Sequence, residues 1–243
     1  MFSARLLPKT AKVYAGITPI APPRASGYHR PMPYESFRHI DTWVFDLDNT
    51  LYPPEVRLFD QIERLMVAFM TREIGIGESE AHSLRKHYWK THGTTLAGLM
   101  AEHGVDPDSF LTEVHELDLS VIPEAPDLRA AIAALPGRKI IYTNGSRAHG
   151  EKVSAARGLE GVFDAIYGVE DAGYIPKPAT EAFAKVFATD GLAPETAAMF
   201  EDDPRNLAIP FDLGMNTVLV GSHEAPHIQH RTGDLTEFLA KLV

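Results

Sequence analysis

Two carboxylates two residues apart, Asp46 and Asp48, close the apolar run Trp43-Val44-Phe45. A buried strand that surfaces at Asp46 brings both acids to one sheet edge, where like charges crowd unless a cation or a proton is shared. Such crowding invites a divalent metal bound through oxygen. The same letters also suit a strand followed by an Asx-type turn, because Asp, Asn and Thr satisfy local backbone hydrogen bonds. Three further polar points bear on the choice. Thr143-Asn144-Gly145-Ser146 follows an apolar run and reads as a turn and helix start whose backbone N–H groups can cradle an anion. Lys177 stands between Pro176 and Pro178, which limit how its backbone moves. Glu201-Asp202-Asp203 follows the apolar run Ala197–Phe200. Singly, these are a helix cap, a solvated charge and the acidic first turn of a helix. Together, in order and each near the end of a strand or turn, they describe a site for a metal-bound phosphate.

The elements that must position these groups alternate regularly from residue 139 onward. Strands are expected at Lys139–Thr143, Phe163–Tyr167, Ala197–Phe200 and Thr217–Val220. Helices are expected from Ser146, Pro178 and Pro204 and at Asp234–Leu242, with Pro210 breaking or kinking the third of these early. That alternation predicts an α/β fold, a Rossmann-like parallel sheet with helices on both faces, whose reacting groups sit beyond the carboxyl ends of the strands. Between Asp48 and Ile141 lie about 90 residues, whereas a strand–helix–strand unit takes about 30. The excess is helical. Leu58, Ile62, Leu65, Met66 and Phe69 form one stripe, and further helices are expected at Ala81–His92, Thr94–His103, from Asp106-Pro107, and at Pro126–Leu135. Residues 55–125 are therefore expected to form a small α-helical cap, with 39–54 and 126–243 as the core.

Composition narrows the classes. The 243 residues are 44% hydrophobic and 23% charged, which suits a soluble globular chain. There is no cysteine, so no disulfide framework or thiolate site is available. A formal charge of −10 speaks against a broad surface for a nucleic-acid polymer, and no apolar run reaches the ~18 residues needed to span a bilayer. A cytoplasmic monomer or homodimer is expected. Residues 1–38 are basic and interrupted by Pro8, Pro19, Pro22 and Pro23, and are expected to be a disordered extension. A targeting segment and a translation start at Met32 stay open.

The order Asp46-Leu47-Asp48-Asn49-Thr50, Thr143-Asn144, Lys177-Pro178 and Glu201-Asp202-Asp203 resembles the four motifs of the haloacid dehalogenase-like hydrolases, over about residues 42–221. The run Asp46 to Pro53, with Tyr88 and Gly93-Thr94-Thr95-Leu96-Ala97-Gly98-Leu99, is similar to the pyrimidine 5′-nucleotidase branch. The resemblance implies Asp46 as nucleophile, Asp48 as acid and base, and Lys177 as the charge that offsets both nucleophile and phosphoryl group. It implies Mg²⁺ held by Asp46, the Asp48 carbonyl and Asp202, with Asp203 or Asn206 in support. Thr143 and the Asn144 N–H would take phosphate oxygens, and Tyr88 and Thr95 would contact the substrate, a small phosphorylated metabolite such as UMP or CMP. Asp203 stands where relatives often have Ser, and Asn206 where many have a second acid.

Rivals remain. A dehalogenase has no oxygen leaving group to protonate, so Asp48 favours phosphate ester hydrolysis. A sugar-phosphate or phosphoglycolate phosphatase differs only in the cap. A receiver-type signalling module has another motif order and no insertion, and a non-catalytic phosphate-binding protein would be expected to lack one of Asp46, Asp48 and Lys177. His223-Glu224-Ala225-Pro226-His227 matches a zinc pattern by letter only, because Pro226 breaks the helix that pattern needs. The other histidines read as surface or cap-packing residues.

Overall fold

The computed structural model describes residues 33–243. A short helix, α1 (Pro33–Phe37), leads into β1 (Thr42–Phe45). The helices α2 (Leu58–Glu73), α3 (Glu78–His92), α4 (Thr95–His103) and α5 (Pro107–Val114) then intervene before α6 (Pro126–Ala134) and β2 (Arg138–Tyr142). There follow α7 (Arg147–Ala156), β3 (Ala165–Tyr167), α8 (Thr180–Asp190), β4 (Ala197–Glu201), α9 (Ala208–Asp212), β5 (Asn216–Val220), β6 (His230–Thr232) and α10 (Leu235–Leu239).

The six strands form one parallel sheet in the order β3-β2-β1-β4-β5-β6. Strand periodicity divides the core in two. Trp43 and Phe45 face the layer that holds Leu128 and Ile132 of α6, Val153 of α7 and Phe238 of α10, whereas Val44 faces Phe183, Val186 and Phe187 of α8. Helices thus cover both faces, and every β1 residue is buried. In register, Phe45 pairs with Ile141 on one side and Phe200 on the other, so the residues just after these three strands converge at one edge. The chain leaves β1 toward β2 and later returns to its other side with β4, and the crevice opens at that reversal.

The inserted helices have their own apolar centre, built from Ile62, Phe69 and Met70 of α2, Tyr88 of α3, Leu99 of α4 and Phe110, Leu111 and Val114 of α5. Local signals set their ends. Thr94 accepts a hydrogen bond from the Ala97 N–H, and Asp106 accepts one from the Ser109 N–H. Gly98 lets α4 approach α3, since a Cβ there would lie 2.2 Å from the Tyr88 ring.

Some expectations need correction. Of the extension expected at 1–38, residues 1–32 lie outside the described residues. Residues 33–38 belong to the core, because Phe37 is buried, stacks on Trp43 at 6.1 Å and meets Phe238 edge-on. The helix expected from Pro204 is a 3-10 turn, Pro204–Leu207, followed by the five residues of α9, the early break that Pro210 implies. β6 has no counterpart among the expected strands: its three residues, His230–Thr232, carry no apolar run. The His223–His227 segment is irregular, with Glu224 paired to Arg231 and His227 on the Pro204 carbonyl. Replacing Phe37 by Ala is expected to lower the unfolding free energy by about 3 kcal/mol in chemical denaturation, the cost of a large buried aromatic. A change near zero would return this segment to the extension.

Candidate active site

Lys177 lies under the crevice with its side chain fully buried, and its three ammonium protons are all used. Nζ donates to Asp46 Oδ1 at 2.8 Å, to Glu201 Oε1 at 2.8 Å and to the Tyr142 carbonyl at 2.9 Å. Burial acts to neutralise the amine, but the charges of Asp46 and Glu201 outweigh it and hold the ammonium protonated. The backbone of Lys177 is clamped by Asn144, whose Oδ1 accepts from its N–H and whose Nδ2 donates to its carbonyl. Asn144 thus fixes the lysine with its side chain.

Asp46, Glu201 and Asp202 each present a carboxylate oxygen within 4.8 Å of the others. One ammonium cannot offset three carboxylates. Burial, then the neighbouring Glu201, pushes Asp46 up to about 7, and burial, then Asp46, pushes Asp202 up to about 9. Glu201 already accepts from Lys177, from Asn206 Nδ2 at 2.6 Å and from the Asp203 N–H. The buried Asn206 Oδ1 beside it has no donor. An all-oxygen cluster with surplus negative charge and an orphaned acceptor fits a hard divalent cation such as Mg²⁺. Asp203, expected in that set, lies outside the cluster although it lines the cavity: it caps the turn at Pro204 and takes a bidentate pair from Arg205. Glu201, not singled out by the sequence pattern as a ligand, supplies the third carboxylate of the cluster.

Asp48 lines the same crevice. His149 Nε2 lies 2.9 Å from Asp48 Oδ1, and the Tyr52 hydroxyl donates to the same oxygen at 2.7 Å. Burial acts to raise the Asp48 pKa, but the charge of His149 and the two hydrogen bonds outweigh it and hold the group at about 2. His149 stacks on His115, ring centroids 4.1 Å apart and planes at 11°. Burial, then His149, pushes His115 down to about 3. Both histidines are buried and neither is a surface residue. Position offered one signal: His149 follows Ser146 by three, which sets it in the first turn of α7, over the strand end.

Asp46, Asp48, Thr143, Asn144, Glu201 and Asp202 of the core line a cavity of about 470 Å³ together with residues of the cap. Thr143 Oγ1 accepts from the Gly145 N–H, leaving its own proton to donate. The cap contributes Phe59, Met66, Trp89, Thr94, Thr95 and Phe110. Thr95 is therefore on the wall, but Tyr88 is not: it sits in the cap centre with its hydroxyl 2.8 Å from His103 Nε2. Arg205 of the core lies 3.8 Å from the Trp89 ring centroid and bridges to the cap at the cavity's edge.

A parallel sheet carrying a buried lysine, clustered carboxylates and a helical cap defines a capped α/β hydrolase. The chain belongs to the haloacid dehalogenase-like hydrolases, whose sequence pattern matches residues 40–209. It is 24% identical over 194 residues to Phosphate metabolism protein 8 of Saccharomyces cerevisiae, across 73% of this chain, and it spans 60% of that relative's length. Among solved structures, CbbY of Rhodobacter sphaeroides in complex with phosphate superposes with a TM-score of 0.60 at 17% identity, over 84% of this chain and 99% of its own. A phosphatase of this family from Thermococcus onnurineus gives 0.59 at 18%, over 84% and 98%. YfnB of Bacillus subtilis, bound to magnesium, gives 0.55 at 19%, also over 84% and 98%. These three share the fold. No helix among the described residues is long and apolar enough to cross a membrane.

The raised acids set a pH dependence. Their folded pKa values exceed the ordinary 3.8, so the folded chain holds protons that the unfolded chain releases. That stability is complete below 3.8 and is lost as pH rises through about 7 for Asp46 and about 9 for Asp202. In chelator, the melting temperature is expected to fall from about pH 5 to about pH 9, with a shallower fall in Asp202→Asn. Mg²⁺ is expected to restore it at the alkaline end, since a ligand of the folded state alone stabilises it. An identical fall in Asp202→Asn would remove Asp202 from the cause.

Proposed function

We propose that this hydrolase is a Mg²⁺-dependent phosphomonoesterase working through an aspartyl-phosphate, and that its substrates are pyrimidine nucleoside 5′-monophosphates. The observation that carries the chemistry is Asp46 held at 2.8 Å by an ammonium sealed from water, with Asp48 on the wall of the same cavity. A carboxylate oxygen of Asp46 attacks phosphorus, the new P–O bond forms as the ester P–O bond breaks, and the leaving oxygen takes a proton from Asp48. An incoming phosphate, itself anionic, favours the protonated form of Asp48 needed for that step. Asp48 then accepts a proton from water, whose oxygen displaces Asp46 from phosphorus and frees phosphate. Lys177 offsets charge on Asp46 throughout, and Thr143 with the Asn144 N–H holds phosphate oxygens. Asp46, Asp202 and the Asp48 carbonyl, supported by Asn206 and Glu201, would hold Mg²⁺, which when bound supplies positive charge to the phosphoryl oxygens.

The pyrimidine assignment rests on the branch motifs and on the cap wall. Phe59, Trp89 and Phe110 favour a flat, partly apolar leaving group over a polyhydroxylated one. The yeast relative named for phosphate metabolism and the neighbour bound to phosphate support phosphate chemistry. Phosphate release is to be measured with UMP, CMP, AMP, GMP, phosphoglycolate and hexose phosphates. UMP and CMP are expected to give the highest kcat/KM, with loss in chelator and a drop of at least about 10³-fold in Asp46→Asn. Preference for hexose phosphates would retain the chemistry and discard the pyrimidine assignment; release that survives Asp46→Asn would discard the nucleophile.

A further inference from the structure

The contacts around Asp48 reach beyond the acid itself. Its side chain is 19% exposed and opens on the cavity, whereas that of His149 is 1% exposed and out of a substrate's reach. His149 and Tyr52 both grip Oδ1, which fixes the carboxylate plane and leaves Oδ2 without either partner. His149 is held in turn. Ser146 Oγ accepts from its backbone N–H at 3.1 Å, and Gly145 leaves room for its ring, since a Cβ there would come within 2.9 Å of Cδ2. Its stacking partner, His115, belongs to the cap: it directly follows α5, and its Nδ1 lies 3.1 Å from Ser146 Oγ. One side of the ring that clamps a core acid is therefore supplied by the cap.

We infer that His149 is a positioning residue for Asp48, and that His115 makes this positioning depend on how the cap is seated. The inference rests on the reading of Asp48 as the group that moves a proton. The leaving-oxygen bond to phosphorus breaks as that oxygen takes the Asp48 proton, and His149 makes and breaks no bond to substrate. With the cap seated, the two stacked rings keep Asp48 aligned. With the cap lifted, His149 loses one ring contact and the alignment loosens.

The test uses two substrates of the full-length protein, compared by kcat/KM, which reports the steps up to departure of the leaving group. p-Nitrophenyl phosphate releases a phenolate that needs no proton, whereas a nucleoside 5′-monophosphate releases an alkoxide that does. His149→Phe keeps a ring but loses the donor. It is expected to cut kcat/KM about 10²-fold for the nucleotide and less than about threefold for p-nitrophenyl phosphate. Tyr52→Phe, which removes the other donor alone, carries the same test should His149→Phe not fold, with a smaller loss of the same selectivity. His115→Ala is expected to lose about tenfold on the nucleotide alone, and His115→Phe, which keeps the stack, to recover it. Asp48→Asn is the benchmark for selectivity. If it discriminates between the substrates and His149→Phe and Tyr52→Phe do not, the positioning role is overturned. If His115→Phe is as impaired as His115→Ala, the dependence on the cap is overturned. If Asp48→Asn does not discriminate, the proton-transfer reading fails and takes this inference with it.

Discussion

The ammonium of Lys177 is the charge on which the crevice depends. Its three hydrogen bonds join the ends of β1, β2 and β4 through Asp46, the Tyr142 carbonyl and Glu201. Three parallel strands ending side by side would otherwise press buried carboxylates together with nothing between them. A lone buried charge is costly, and so is a lone carboxylate; shared in this geometry, each satisfies the other. The lysine comes from an element outside the sheet, so the loop between β3 and α8 must be fixed as firmly as the strands. Asn144, which holds both backbone groups of Lys177, performs that task from the end of β2.

Above this buried layer the cavity divides its labour. The core end is polar and preorganised, with its donors and acceptors set by strand termini and the first turns of helices. The cap end is apolar and aromatic, and its helices hold together through a centre of their own. The polar and the apolar walls of the cavity therefore belong to separately packed bodies of side chains. That separation lets cap side chains vary without disturbing the contacts of Asp46 and Lys177.

Much of this was legible in the chain because the core residues sit where local pattern is strongest. Asp46, Thr143 and Asp202 each follow an apolar strand, and a parallel sheet leaves such residues at one edge. Lys177, between prolines, stood out in the same way. What failed was side-chain direction. Asp203 neighbours Asp202 in sequence, yet its carboxylate satisfies a turn and Arg205. Tyr88 lies on the motif-bearing helix of the cap, but on the face that Gly98 admits. His115 and His149 are 34 residues apart and carry no shared local pattern, so only the fold could pair them. The same holds for α1, whose basic, proline-rich surroundings concealed a single buried aromatic.

The contact between Arg205 and Trp89 has a bearing on how the cavity fills. A cation–π contact at a partly exposed site is worth about 1 kcal/mol, which changes the ratio of two conformations by a factor of about five. Such a contact adds modestly to the seating of the cap on the core. Asp203 grips the same guanidinium, so the arginine is held from the core as well as by the tryptophan. The clasp thus joins a core arginine, held by its own neighbouring carboxylate, to a half-exposed ring that the cap supplies.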